Sequence, residues 1–397
     1  MSVRHQMRWV SVLSQRLQAE DALVEALATL EEQLGSVPTL VLLFATHHHT
    51  SAIRHLGQML RDRYPMTRVL GGTGQGVIGA QREVESREAL SLTAAVLPDV
   101  TVRPVRWTPE GAPHSGWSQS LEDLRADDSL LLLGDPYTCD VDKALAVLEE
   151  RAPGALRLGG LASGGNGPGQ EALLLDDRVY QDGLVGLALS GKVQVRSIVA
   201  QGARAIGEPM IATRVGEGIV YELNAGRPTE VLKRLYRTLS PRDQQLCHSS
   251  LLLGVERPSV WRGTQGPGDF LLGDVVGMDP RGGAMAIDRE VDPFQVVRFY
   301  LRDADQAGRE LCDKLRSLPE PQRLGVRGGV MFNSVGRGER MYGAPDGDCR
   351  LVQQHLGPVP LGGVFCRAEI GPAGAGGEVH KYSSVMALFS DGEASAA

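Results

Sequence analysis

The chain lacks paired cysteines. Its five (Cys139, Cys247, Cys312, Cys349 and Cys366) are scattered, and no two stand in a C-x-x-C spacing. An odd, dispersed set builds neither a disulfide framework nor a structural zinc site, and it fits a reducing compartment. A long apolar run is also missing. The first residues, Met1 to Trp9, contain no apolar core, and elsewhere the apolar stretches stay short of the roughly 18 residues that a membrane span needs. A formal net charge of −7 argues against a general nucleic-acid surface. The expectation from these absences is a cytoplasmic protein with no membrane and no nucleic-acid partner. Its 397 residues are too many for one core and point to two or three domains.

What the chain has in excess is glycine: 49 residues against a usual share of roughly 7%. The glycines cluster in a unit that recurs three times, made of an apolar strand, a polar loop, a helix, a second strand and a glycine pair. The first copy opens with Thr39–Ala45 and closes with Gly71 and Gly72, the second opens with Ser129–Asp135 and closes with Gly159 and Gly160, and the third opens with Gly329–Ser334 and closes with Gly362 and Gly363. Such repetition suggests duplication, and the first two copies are expected to superpose. No single copy carries a recognisable catalytic set, which tilts the reading from catalysis toward binding.

Periodicity adds the rest of the outline. Leu23, Leu27, Leu30 and Leu34 share one face of a leading helix. Strand 39–45 is apolar throughout and therefore central. The helix after it, capped at Thr50 or Ser51, should bury Ile53, Leu56 and Leu60, and one capped by Asp140 should bury Val141, Ala144, Leu145 and Leu148. Proline opens a helix at 228 that should bury Val231, Leu232, Leu235 and Tyr236. Asp279–Gly283 reads as a hairpin turn, 303–317 as a helix and 191–214 as a boundary that can act as a hinge, and the tail from Asp391 should be disordered. Gly74, Gly76 and Gly79 have dinucleotide-loop spacing, but Gln81 to Glu85 lead into a strand where a helix would be required. The fold class is mixed α/β: repeated strand-helix-strand units in an N-terminal domain plus a related C-terminal domain.

Several separated motifs occur in one order. They are Gly71–Gly79 (including Gly72 and Thr73) followed by the acidic pair Glu83 and Glu85; Tyr221–Pro228; Phe332–Gly338; Pro360–Pro372; His380; and Ser384–Phe389. This set resembles the FIST family (F-box and intracellular signal transduction) across roughly residues 20–390. The resemblance implies an N-terminal FIST domain over 20–205 and a C-terminal one over 206–390. It also implies a sensory module, found fused to kinases, receptors or cyclic-dinucleotide enzymes in bacteria and to an F-box in eukaryotes. Small ligands such as amino acids have been proposed for the family, and some members bind haem and respond to nitric oxide. Two positions depart from the pattern. Ser334 stands where cysteine is frequent, and Ala368 replaces the glycine before the acidic residue, here Glu369. The FIST-like region fills the chain, so a separate signalling protein is the expected recipient of any signal.

The candidate ligand-binding residues are Arg337, Glu369, His380, Cys366, Ser334, Gly72 and Thr73. Arg337 lies between two glycines and offers a planar fork to a carboxylate or phosphate, or pairs internally with Glu369. Glu369 follows an apolar strand, where it can meet a ligand amine or be held structurally. His380 is a ligand contact or fixes the Glu369 loop. Cys366, beside Arg367, is either a reactive thiol or a buried small hydrophobe. Arg337, Glu369 and His380 are expected in one polar cluster. One histidine of His47–His49, just after a central strand, is a possible axial haem ligand, with a solvated loop as the alternative. The functional expectation is a sensor binding a small molecule in a cleft between the domains. The alternatives are a haem-binding gas sensor, an enzyme using Cys366, Glu369 and His380, and a protein-interaction scaffold.

Overall fold

A computed structural model describes residues 6–110, 116–118, 121, 124–257, 270–373 and 376–392. The tail expected to be disordered lies, beyond Gly392, outside the described residues. The chain forms two compact units. One comprises Met1–Ala200, Leu311–Val379 and Ser383–Ala397, and the other Gln201–Glu310 with His380–Tyr382. The first unit is therefore discontinuous, taking back residues 311–379 that the sequence assigns to a contiguous C-terminal domain.

The first unit holds three sheets with one strand plan. At the centre of each lies a parallel pair joined by helical segments: Leu40–Thr46 with Arg68–Gly74, Ser129–Gly134 with Leu156–Leu161, and Val326–Ser334 with Leu361–Cys366. An antiparallel strand flanks the first member of each pair, namely Leu90–Val96, Leu184–Gly191 and Ser383–Asp391. The second member is flanked by a hairpin that comes from a different copy. Leu173–Leu175 and Arg178–Tyr180 complete the first sheet, Ala368–Ala373 and Gly376–His380 the second, and Gly76–Gly79 and Arg82–Glu85 the third. The exchange keeps register, because Leu174 opposes Gly71, Ile370 opposes Gly159 and Ile78 opposes Gly363.

Side-chain alternation explains the layering. Leu40, Leu42 and Phe44 of the first sheet, Leu131 and Leu133 of the second, and Val330, Phe332 and Phe389 of the third pack into one shared core. Phe44 and Phe332 meet edge to face with ring centroids 6.4 Å apart. The intervening residues turn outward under helices. Val41 and Leu43 lie under Ala19–Leu34 and Ile53–Arg63, Leu130 and Leu132 under Val141–Arg151, and Met331 and Met386 against Gly347–Leu356 and Leu311. Both faces of each sheet are thus covered, which is why these strands read as unbroken apolar runs.

Several local expectations hold. Ile53, Leu56 and Leu60 are buried, and Asp140 caps its helix by accepting from the Lys143 N–H. Others are corrected. A 3-10 turn, His47–Ala52, runs directly into Ile53–Arg63, so no side-chain cap forms there, and the Thr50 hydroxyl donates back to the His47 carbonyl. The strand Arg8–Ser14 edges the first sheet although no element was expected there. Gly76 and Gly79 lie in the first strand of a β-hairpin, paired with Arg82–Glu85, so strand and not helix follows the glycine spacing.

The second unit is a closed six-stranded barrel, built from Ala203–Gly216, Ile219–Leu223, Met285–Ile287, Phe270–Met278, Leu251–Glu256 and Val296–Arg302. Val220, Leu253, Met285, Val297 and Phe299 fill its interior. The segment 191–214, expected as a boundary, is strand on both sides of Gly202: Val193–Gln201 belongs to the third sheet and Ala203–Gly216 to the barrel. Asp279–Gly283 forms the expected turn, with the Gly283 N–H donating to the Asp279 carbonyl. Pro228–Tyr236 begins with proline as expected, but Pro228 alone of its residues is fully buried; Val231, Leu232 and Leu235 are half-buried against the barrel. Among the described residues, no helix is long and apolar enough to cross a membrane.

Candidate functional site

Two polar clusters lie in the first unit at strand ends. The first is built around Arg337, which is 0% exposed. Its Nε donates to Asp348 Oδ2 at 2.8 Å and its Nη2 to Asp348 Oδ1 at 2.7 Å, a bidentate pair. The Tyr342 hydroxyl also donates to Asp348 Oδ1, at 2.7 Å, and Asn333 Nδ2 donates to Oδ2 at 2.9 Å. Burial opposes ionisation of Asp348, but the charge and hydrogen bonds of Arg337, with those of Tyr342 and Asn333, hold its carboxyl below the usual range. Arg337 thus spends its fork on a carboxylate of its own chain, the internal-pairing reading, with Asp348 as partner. Asp348 was missed because it lies eleven residues on, in the helix Gly347–Leu356, where nothing in the sequence sets it apart.

The acidic pair after the first glycine loop joins this cluster. Glu83 Oε1 accepts from the Cys349 N–H at 2.8 Å, and Glu85 Oε1 accepts from the Glu339 N–H at 2.8 Å. Burial, with the charge of Asp348 added, pushes Glu83 from an ordinary 4.5 up to about 8. A carboxyl whose folded value is raised loses stability for the chain as pH climbs from its unfolded to its folded value. Glu83→Gln keeps the acceptor oxygen and removes the charge. It is expected to gain stability relative to the parent between pH 4.5 and about 8, by at most ~1.4 kcal/mol per unit, and to level off above. Urea unfolding across that range checks this; parallel curves for the two proteins would refute it.

The second cluster stands where the central strands end. Thr46, Asp135 and Ser334 occupy the same place, directly at or after the last residue of the first strand of each parallel pair. Asp135 and Ser334 cap the turn that follows, while Thr46 ties its strand end to a segment distant in the chain. Thr46 Oγ1 accepts from the Ala89 N–H, and Ser334 Oγ accepts from the Gly336 N–H. Asp135 Oδ1 accepts from the N–H groups of Tyr137 and Thr138 and from the Thr138 hydroxyl, at 3.0, 2.8 and 2.7 Å. Asp135 is 0% exposed, and its Oδ2 is buried without a hydrogen-bond partner among the described residues.

Beside it, Glu171 is also 0% exposed and accepts from the Thr73 hydroxyl at 2.9 Å and the Gly165 N–H at 2.7 Å. Burial raises the Glu171 carboxyl; those two hydrogen bonds and the charge of Arg367 oppose the shift, while the Asp135 charge adds to it. Arg367 Nη1 donates to the Tyr137 hydroxyl at 2.6 Å and its guanidinium lies over the Tyr137 ring, and that hydroxyl donates to the Gly165 carbonyl at 2.9 Å. Gly72 is required by close approach, since a Cβ there would lie 2.6 Å from the Ala172 carbonyl oxygen.

The remaining expected residues are placed as follows. Cys366 belongs to the shared core, 0% exposed, with its sulfur packed so that a Cβ on Gly160 would meet it at 2.3 Å. Burial pushes its thiol well above the ordinary value, and Glu369 and Glu171 add to the shift. This is the buried small-hydrophobe reading. Glu369 is 0% exposed, and its Oε2 accepts from the Ser383 N–H at 3.0 Å. His380 is 2% exposed and is grouped with the second unit, whereas Arg337 and Glu369 belong to the first. The rings of His47 and His48 stack with centroids 4.1 Å apart. His49 is buried with its Nε2 closed off from solvent, so that nitrogen does not fit an axial haem ligand, which must face an opening wide enough for the macrocycle. Among the described residues, no group of three or more His, Cys, Asp or Glu side chains is placed to hold a metal ion.

Comparison with known proteins gives a consistent assignment. Residues 39–226 match the FIST N domain and residues 228–372 the FIST C domain. An uncharacterized protein of Mycobacterium tuberculosis is 33% identical over 380 residues, 93% of this chain and 96% of the relative. An uncharacterized protein of Mycobacterium bovis is 30% identical over 378 residues, 94% of this chain and 96% of the relative. An F-box/LRR-repeat protein of Arabidopsis thaliana is 35% identical over 81 residues, 20% of this chain and 15% of the relative. A solved structure of cyanuric acid hydrolase from A. caulinodans aligns over 97% of this chain and all of that one, but at 9% identity and a TM-score of 0.25 the likeness carries no argument.

Proposed function

This chain belongs to the FIST family, whose domains are associated with signal transduction and small-molecule sensing, and from that premise we propose that it is a sensory module binding a small polar molecule at the strand ends of its first unit. The observation that carries the reading is Asp135. A fully buried carboxylate oxygen with no donor among the described residues costs free energy, and a ligand that brings an N–H or O–H to it recovers that cost. Its position supports the same reading, because ligands of α/β sheets gather outside the carboxyl ends of the strands. Thr73, Glu171, Tyr137 and Arg367 would frame the molecule. Gly72, Ser334, Cys366 and Glu369 would shape the backbone and core behind it. Arg337 would act one step away, holding the turn after Ser334 through Asp348. We further propose that the three copies are one internal repeat, and that a separate signalling protein reads the bound state.

A thermal-shift screen of cellular metabolites, with haem included, tests this on the full chain. A ligand at 100 times its dissociation constant adds roughly 2.7 kcal/mol. The expected result is a stabilising polar metabolite whose effect disappears in Asp135→Asn while that variant still unfolds cooperatively. Stabilisation by haem with a Soret band would favour the gas-sensor alternative. A hit that is indifferent to Asp135→Asn would place the site elsewhere.

A further inference from the structure

The second unit carries a cavity of its own, distinct from the strand-end cluster. The helices Pro228–Tyr236 and Pro241–Ser250 lean on the barrel through half-buried side chains, and the second of them buries no residue completely. Between them and the end of the strand Phe270–Met278 lies a cavity of about 360 Å³, within the range of small-ligand sites. Leu232, Tyr236 and Met278 supply its apolar wall, and Lys233, Arg237 and His248 its polar lining. Among the described residues that line it none is a carboxylate; Asp274, with Arg302, lines the adjoining hollow that shares Cys247, His248, Leu251 and Met278. Lys233 is paired with Glu230 one turn earlier at 2.8 Å, in an exposed bridge that contributes little. Arg237 forms no ion pair among the described residues. Tyr236 and His248 bracket one side, with the hydroxyl 3.2 Å from Nε2 and the rings edge to face at 5.8 Å.

We propose that this cavity binds a small amphipathic carboxylate, a medium-chain or aromatic monoacid, with its apolar body against Leu232, Tyr236 and Met278 and its carboxylate toward Arg237 and Lys233. The charge pattern makes the choice of class. An apolar slot admits a neutral, cationic or anionic amphiphile alike, and a lining with basic groups and no acidic one favours the anion and rejects the cation. Met278 is 45% exposed, which fits a side chain that a bound hydrocarbon would cover.

Titration of the full chain with decanoate, decanol and decylamine, each below its micellar concentration, tests the proposal by calorimetry. Decanoate should bind with one-to-one stoichiometry, decanol more weakly and decylamine most weakly. Replacing both Lys233 and Arg237 by glutamine should weaken decanoate by about tenfold, the scale of two partly exposed charge contacts, and leave decanol unchanged. Leu232→Trp should fill the slot and abolish binding of both. Met278→Glu, at a position 45% exposed, should selectively repel decanoate. Asp135→Asn should change none of these values, which separates this site from the one in the first unit. Equal binding of decanoate and decylamine, binding that survives Leu232→Trp, or the absence of saturable binding would overturn the proposal.

Discussion

Gly159→Ala is expected to leave the chain unable to reach its native state. Gly159 pairs with Leu132 across the parallel strands of the second sheet, and a Cβ there would lie 1.9 Å from the Leu132 carbonyl oxygen. That neighbour is backbone, so no side-chain rotation relieves the contact, and one strand must leave the other. The equivalent positions in the other sheets have the same constraint: a Cβ on Gly71 would be 2.0 Å from the Leu43 oxygen, and one on Gly363 would be 1.9 Å from the Met331 oxygen. Overpacking that side chains can absorb costs about 1–3 kcal/mol, and a backbone clash in the middle of a shared core exceeds that range. Soluble expression and urea unfolding should show no cooperative native transition for Gly159→Ala or Gly363→Ala. Gly167→Ala, where the nearest atom is the Gln170 side chain at 3.7 Å, should behave as the parent. A folded Gly159→Ala with an unchanged midpoint would mean that the strand pairing is wrong.

The second large effect concerns the Arg337–Asp348 pair, both members of which are 0% exposed. Removing one partner strands the other charge, and such losses run to about 3–5 kcal/mol. Arg337→Met and Asp348→Leu should each destabilise on that scale. The double variant should be less destabilised than the sum, because no isolated charge remains. Acid should act in the same direction: the Asp348 carboxyl is held below its ordinary value, so its contribution is present above the unfolded pKa and is lost as pH falls through the folded one. A double-mutant cycle by urea unfolding measures the coupling, and additive single effects would show that the bidentate pair is not formed.

The parts of this fold legible in the sequence are the locally determined ones. Continuous apolar runs marked the central strands, the glycine pairs marked the second strand of each unit, and Asp140 announced its helix through a local hydrogen bond. The hairpin exchange was not legible. Leu173–Leu175 completes the first sheet and Gly76–Gly79 the third, and nothing in a short hairpin's own residues says which distant strand will accept it. The same reason hid part of the site. Arg337 was found from its glycine neighbours and Glu83 as half of an acidic pair, whereas Asp348, and the cluster that gathers all three, come only from tertiary packing. Asp135 was visible in the sequence as the residue closing the second copy's first strand. Aligning the three copies on their glycine pairs would have set it beside Thr46 and Ser334, and that alignment was the available signal. The helix at 228 was over-read because its apolar residues rest on a small barrel, which half-buries them without enclosing them.

Hydrogen exchange on the full chain, with and without the strongest polar ligand of the metabolite screen, bears most directly on the claim that the first unit senses at its strand ends. Backbone amides at Tyr137, Thr138 and Gly165 already anchor the two buried carboxylates, and they should gain protection together when the ligand is bound. Protection confined to 228–250, or spread evenly over the chain, would contradict the account.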